Sequence, residues 1–227
     1  MTESDHPLAG CADLLFEDRH LIVLNKFPGC TVIPGRNTAA DSESLRERLE
    51  RFTGDKVYVV HRIDRDTSGL ILFCKDAESH RILSRQFEQR TVKKTYLALV
   101  QGTLSDTVTV NAPLRQFGSG RMGVAAGGKP SLTRITVESC FQGATLVTAI
   151  PETGRRHQIR VHLYHLGHPV MGDRLYGTER PVGGIERMML HATSISCIHP
   201  DGTPFTRTAP LLPQWKKIIS RFSIEDV

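Results

Sequence analysis

The chain has 227 residues, 39% hydrophobic and 23% charged, with 19 glycines and 12 prolines. Such a length is one domain or a domain with lobes, and such a composition excludes a disordered chain, a collagen-like chain and a coiled coil. The net charge of +5 is mildly basic, which permits a polyanionic partner without requiring one. No apolar run approaches the roughly 18 residues of a membrane span. The first ten residues, MTESDHPLAG, carry two acids and no apolar core, so they do not read as a signal peptide, and a cytoplasmic protein is expected. Five scattered cysteines (Cys11, Cys30, Cys74, Cys140, Cys197) form no C-x-x-C pair, and their odd number argues against a disulfide framework or a thiolate zinc site.

In chain order, residues 1–10 read as a frayed, disordered tail, and 11–227 as a single domain without a composition break. Residues 21–26, LIVLNK, read as a short buried strand ended by Pro28-Gly29. Residues 42–52 read as a helix, with Leu45, Leu49 and Phe52 on one face and Asp41 or Ser42 as its cap. Strands are predicted at 57–60 and 70–73, with the polar stretch HRIDRDTSG as the loop between them. Asp76 caps a helix to about Gln89 that turns Ile82, Leu83 and Phe87 inward. Further strands are expected at 95–100, 132–137 and 144–150. Residues 114–130, with five glycines and three basic residues, read as a mobile basic loop. The segment 157–166 reads as a helix with Ile159, Leu163 and Leu166 on one face and Gly167 as its stop. The mixture lacks strict βαβ alternation. The expected fold is therefore α+β, a mixed, largely antiparallel central sheet flanked by helices and loops.

The positive charge is uneven. Residues 81–94 carry five Lys/Arg and one acid, and residues 153–168 carry three Arg, four His and no acid. Together they could neutralise phosphates of a nucleic acid, or each could be a solvated helix face. The densest polar cluster is His61 to Gly69. Its aspartates can serve as nucleophile, base or ligand, or can stitch a turn through Arg–Asp pairs. Asp66-Thr67-Ser68-Gly69 resembles the catalytic turn of aspartic proteases, which needs two such aspartates, and no second copy is present. His162, His165 and His168 could bind a metal, but H-E-x-x-H is absent and no carboxylate lies within the segment. No phosphate-cradling glycine motif and no G-x-S-x-G elbow occurs. Chemistry on a polyanion without cofactor or metal is what remains.

Taken together, the motifs resemble the RluA family of RNA pseudouridine synthases. HRIDRDTSGL is similar to that family's signature loop, KKTYLALVQG to its tyrosine strand and TGRRHQIRVHL to its arginine helix. GHPVMGDRLYG and MMLHATSISCIHP follow in the family's order. The resemblance runs from about Leu14 to Pro210. Two departures are that Asn25-Lys26-Phe27-Pro28-Gly29 shifts a proline by one place and that Ile63 replaces a common Leu. The resemblance implies an isomerase that converts uridine to pseudouridine in structured ribosomal or transfer RNA, flipping the base into an active-site cleft across the sheet. Asp64 would be the catalytic aspartate, Tyr96 the active-site tyrosine and Arg160 the arginine paired with Asp64. Arg62 would fill the space left by the flipped base, and Leu190 would pack near it. His61, Thr67, Lys93, Lys94, Arg156 and His157 are the further residues expected to contact RNA. No cofactor, no metal, no obligate protein partner and no separate N-terminal RNA-binding domain are expected, and the enzyme is expected to be a monomer. A non-catalytic RNA-binding module and an acid-dependent hydrolase using Asp66 stay open beside this reading.

Overall fold

The computed structural model describes residues 7–34, 43–177 and 184–223. In chain order the elements are β1 (Ala12–Glu17), β2 (Leu21–Lys26), α1 (Leu45–Thr53), β3 (Tyr58–Val59), β4 (Ser68–Cys74), α2 (Ala77–Glu88), β5 (Lys93–Gln101), β6 (Val108–Asn111), β7 (Leu114–Gln116), β8 (Met122–Val124), β9 (Leu132–Phe141), β10 (Ala144–Pro151), α3 (Gln158–His165), β11 (Leu190–Ile198), β12 (Pro204–Thr208) and α4 (Pro213–Ser223). The fold is α+β with largely antiparallel strands, as the sequence predicts. Among the described residues no helix is long and apolar enough to cross a membrane. Two compact units result. One takes Met1–Lys93 and Ala192–Pro210, the other Lys94–His191 and Leu211–Val227.

In the first unit the strand order is β1-β2-β4-β11, with β3 on β4 and β12 on β11. Every residue of β2 and of β4 is buried, which is why both read as unbroken apolar runs. The two polar residues closing β2 find backbone partners: Asn25 Nδ2 donates to the Pro210 carbonyl at 3.1 Å, while its buried Oδ1 has no hydrogen-bond partner among the described residues, and Lys26 Nζ donates to the carbonyls of Phe27, Cys30 and Arg65. Helix α1 starts later than expected. Ser44 is its N-cap, accepting from the Glu47 N–H while the Glu47 carboxylate accepts from the Ser44 N–H, and Gly54 ends it in the left-handed region. Asp41 and Ser42, the caps expected from the sequence, lie outside the described residues, as do residues 1–6 of the expected tail. Leu8 is buried, and its carbonyl accepts from Cys11 and Ala12. Helix α2 has Asp76 as its N-cap and Gln89 as its C-cap, as expected, with Leu83 buried and Ile82 and Phe87 half-buried. One expectation is overturned here: Cys11 and Cys30 are joined by a disulfide. The β1–β2 pairing brings them together, since the Phe27 N–H still donates to the Cys11 carbonyl at 2.7 Å.

In the second unit the order is β5-β10-β9-β6. Residues 114–130 are not simply a loop. They hold an antiparallel hairpin, β7 on β8, with Leu114 opposite Val124. Leu114 is buried against Val161 and Tyr176, with Met122 and Val124 packed on them, so the hairpin has an apolar anchor that the glycine content obscured. Helix α4 was not read from the sequence. Pro213 opens it, and Trp215, fully buried, packs edge-on to His191 with ring centroids 6.1 Å apart.

Candidate active site

The first unit holds the HRID segment in a tight turn. The Thr67 N–H donates to the Asp64 carbonyl at 3.2 Å, which puts Arg65 and Asp66 at the tip. Asp66 accepts from its neighbour Arg65 at 3.0 and 3.2 Å, both side chains facing solvent. Asp64 is half-buried. The two carboxylates thus part ways: Asp66 neutralises a turn arginine, and Asp64 does not share that exposed tip. The turn is gripped from behind, because the Arg65 carbonyl accepts from Lys26 Nζ at 2.7 Å and from the Gly29 N–H at 2.9 Å. At its start, His61 Nε2 accepts from the Leu72 N–H at 3.1 Å while the ring stacks on Phe87 at 5.0 Å. At its end, β4 begins at Ser68, two residues earlier than predicted, and Thr67 and Ser68 are buried. Gly69 has φ +107°, and a Cβ there would meet the Ala192 backbone oxygen at 2.3 Å, so only glycine fits. Arg62 is exposed. Of the expected site residues, this unit brings together His61, Arg62, Asp64 and Thr67, and Lys93 is its last residue before the boundary.

The second unit holds the rest. Tyr96 is half-buried on β5 opposite Ala149 of β10, and Lys94, two residues before it, shares its face of the strand. Burial holds the Lys94 ammonium below the usual lysine pKa, while Lys93 is exposed. Arg160 is buried on α3 and donates from Nε and Nη2 to Asp173 at 2.6 and 2.8 Å. Asp173 also accepts from the Leu175 and Tyr176 N–H groups at 2.9 and 3.1 Å. Burial alone would raise the Asp173 pKa, but Arg160 and these two amides outweigh it and hold the carboxyl below its ordinary value. The Arg160 guanidinium lies 5.0 Å from the Tyr176 ring. Tyr176 is buried, its hydroxyl accepting from the Met122 N–H at 3.0 Å and bonded to His157 Nδ1 at 2.9 Å. His157 carries a left-handed backbone, φ +55°, an uncommon conformation for a non-glycine residue. Arg156 is exposed and Leu190 is buried.

Sequence reasoning missed Asp173 and Tyr176, although GHPVMGDRLYG was in view. The available signal was that Asp173 is the first acid after an acid-free stretch of three arginines and four histidines. The histidines, too, are sorted by the fold. His162 is fully buried, with Nδ1 at 2.8 Å from the Thr133 hydroxyl and Nε2 at 3.0 Å from the Ala112 carbonyl, so it is neither solvated nor RNA-facing. His168 Nδ1 meets the Gln101 carbonyl at 2.9 Å. Among the described residues no three His, Cys, Asp or Glu side chains converge to hold a metal ion.

Comparison with known proteins agrees with the motif pattern. The family model described as RNA pseudouridylate synthase matches residues 20–165. Ribosomal large subunit pseudouridine synthase C of Pasteurella multocida is 42% identical over 219 residues, 91% of this chain and 66% of that protein. The dual-specificity RNA pseudouridine synthase RluA of Vibrio cholerae is 39% identical over 204 residues, 88% of this chain and 82% of that protein. Among solved structures, human RNA pseudouridylate synthase domain containing 1 is similar with a TM-score of 0.74 and 27% identity, covering 94% of this chain and 95% of that one. The chain belongs to the RNA pseudouridylate synthases, in the RluA family that its motifs resemble. It spans 66% of the length of the Pasteurella relative.

Proposed function

We propose that this chain isomerises uridine to pseudouridine in structured RNA, with ribosomal RNA of the large subunit as its first target class and a transfer RNA stem-loop as the second. The reading is carried by the turn at Asp64: a half-buried carboxylate on a backbone gripped from behind, beside an Asp66 already committed to Arg65. Asp64 is the catalytic carboxylate. It attacks the ribose or assists elimination of the base, which is then turned and rejoined through carbon. No atom is gained or lost, so the reaction asks for no redox or nucleotide cofactor. Arg160 is the arginine that the motif pattern pairs with this carboxylate. The target base leaves its stack at a cost of a few kcal/mol, and Arg62 offsets part of that cost by occupying the vacancy. Tyr96 and Leu190 face the detached base. His61 and Thr67 hold the turn, while Lys93, Lys94, Arg156 and His157 meet the RNA. The enzyme works as a cytoplasmic monomer.

The test is isomerisation of uridine in transcripts of large-subunit ribosomal RNA and of tRNA stem-loops, followed by pseudouridine mapping of total RNA with and without the gene. Asp64→Asn is expected to abolish turnover while the fold and most RNA binding persist, and Asp66→Asn to be milder. Near-normal turnover in Asp64→Asn would overturn the assignment.

A further inference from the structure

The Asp64 turn has a covalent neighbour. The Cys11–Cys30 disulfide closes a separation of 19 residues, Cα–Cα 5.8 Å, and ties the start of β1 to the loop after β2. That loop is the one that grips the turn. Lys26, completely buried, donates from Nζ to the carbonyls of Phe27 at 2.7 Å, Cys30 at 2.8 Å and Arg65 at 2.7 Å. One ammonium therefore bridges the backbone of a disulfide cysteine to the residue after Asp64. Gly29, next to Cys30, adds its N–H to the same Arg65 carbonyl. Of the two sulfurs, that of Cys30 belongs to a half-buried residue and that of Cys11 to a buried one.

We propose that Cys11 and Cys30 form a thiol–disulfide switch that sets the position of the Asp64 turn through Lys26 and Gly29. The inference rests on the reading of Asp64 as the catalytic carboxylate. Oxidised, the pair holds the Phe27–Cys30 loop against β1, and the Arg65 carbonyl stays where Lys26 and Gly29 place it. Reduced, the loop keeps only its hydrogen bonds, and the turn gains freedom. A low-molecular-weight dithiol supplies the electrons. One of its thiolates attacks Cys30 Sγ, the S–S bond breaks, and Cys11 leaves as a thiolate that takes up a proton. The second thiol of the reductant attacks the mixed disulfide, releasing Cys30, which is protonated in turn. Two electrons and two protons pass to the protein, and the reductant closes to its own disulfide. Cys30 and Lys26 are positioning residues in this scheme, since both act through the backbone of the turn.

The experiment uses the full chain, oxidised by diamide or reduced by dithiothreitol, with the state of each cysteine read by alkylation and peptide mass mapping. Amide hydrogen exchange at Asp64–Ser68 reports the turn without reference to activity. Reduction should speed exchange there by about tenfold and slow single-turnover isomerisation by about fivefold with RNA affinity unchanged. Cys30→Ala should exchange and react like the reduced protein whether or not dithiothreitol is present. Cys140→Ser, at an exposed free cysteine on β9, should respond to reductant as the unmutated chain does. Alkylation of both Cys11 and Cys30 in the diamide-treated protein, or equal exchange and equal rates in the two redox forms, would overturn the switch. If neither form isomerises RNA, the functional reading fails, and the exchange difference alone decides whether the disulfide controls the turn.

Discussion

At the scale of single side chains, the proposed chemistry turns on Tyr96 and Asp173. Tyr96 offers a ring to stack on a base, worth about 1–3 kcal/mol, and a hydroxyl that can relay a proton, worth about 10²–10⁴-fold. Tyr96→Phe separates the two. It should bind RNA almost normally and react far more slowly in a single turnover, a measurement that slow product release cannot mask. A variant as fast as the unmutated chain would reduce Tyr96 to packing. Asp173 does its work at one remove, by neutralising and aiming Arg160 through two parallel hydrogen bonds, the geometry that arginine and carboxylate match best. Asp173→Asn keeps the shape and removes the charge facing a buried guanidinium. It should cost about 3–5 kcal/mol in denaturant unfolding, and a loss below about 1 kcal/mol would place the pair among the weak surface type.

Helix α3 is the element that carries Arg160, and it is fastened by polar groups rather than by an amphipathic stripe. Six consecutive residues, Gln158–Leu163, are buried, so the expected face of Ile159, Leu163 and Leu166 is only part of its contact. Gln158 accepts from the Thr153 hydroxyl at 2.6 Å and from the Arg155 N–H at 3.0 Å, and donates to the Leu132 carbonyl and the Thr133 hydroxyl at 2.9 and 3.0 Å. Thr133 in turn donates to His162 Nδ1, which leaves Nε2–H to donate to the Ala112 carbonyl: a neutral imidazole satisfied on both sides. Burial is the main reason that the His162 pKa lies below its ordinary 6.5, and the bond to Ala112 opposes it only in part. The unfolded chain therefore binds this proton more readily than the folded one. The stability it contributes is complete above about pH 6.5 and is lost as pH falls toward the lower folded value. Unfolding measured between pH 8 and pH 5 should show this loss in the unmutated chain and a smaller one in His162→Gln. Parallel pH profiles would mean that His162 is not the group responsible.

At the scale of the whole molecule, the proposed encounter with RNA rests on charge. The net +5 is small, but Lys93, Arg62 and Arg156 are exposed at or beside the proposed catalytic segments. Binding should weaken steeply with salt, with a log–log slope of roughly −0.7 to −0.9 for each phosphate neutralised. Lys93→Ala should weaken target and non-target RNA alike, because a phosphate contact carries no sequence information. A dissociation constant that ignores salt would contradict this.

Much of the proposed site is legible because its motifs are contiguous. HRID, KKTY and GRRHQIR each keep their residues within a few places, so order and spacing survive without any knowledge of folding. The buried strands β2 and β4 and the capped helix α2 were legible for a related reason: apolar runs and an Asp cap act locally. What the amino-acid order does not carry is which distant backbone or side chain meets which. The Arg160–Asp173 pair spans 13 residues, the Lys26–Arg65 bond 39 and the His162–Ala112 bond 50, and each depends on strands and helices already being packed. The Cys11–Cys30 bond was discounted on count and spacing, yet two antiparallel strands place those sulfurs side by side. The β7–β8 hairpin was concealed by its glycines, because the apolar contacts that anchor it come from Val161 and Tyr176, far along the chain. The sequence by itself thus determined the family and supplied the residues proposed for catalysis. Tertiary packing decided which charges are neutralised, which histidines are buried and which backbone grips the Asp64 turn, since burial and hydrogen-bond partnership are properties of the fold rather than of sequence neighbours.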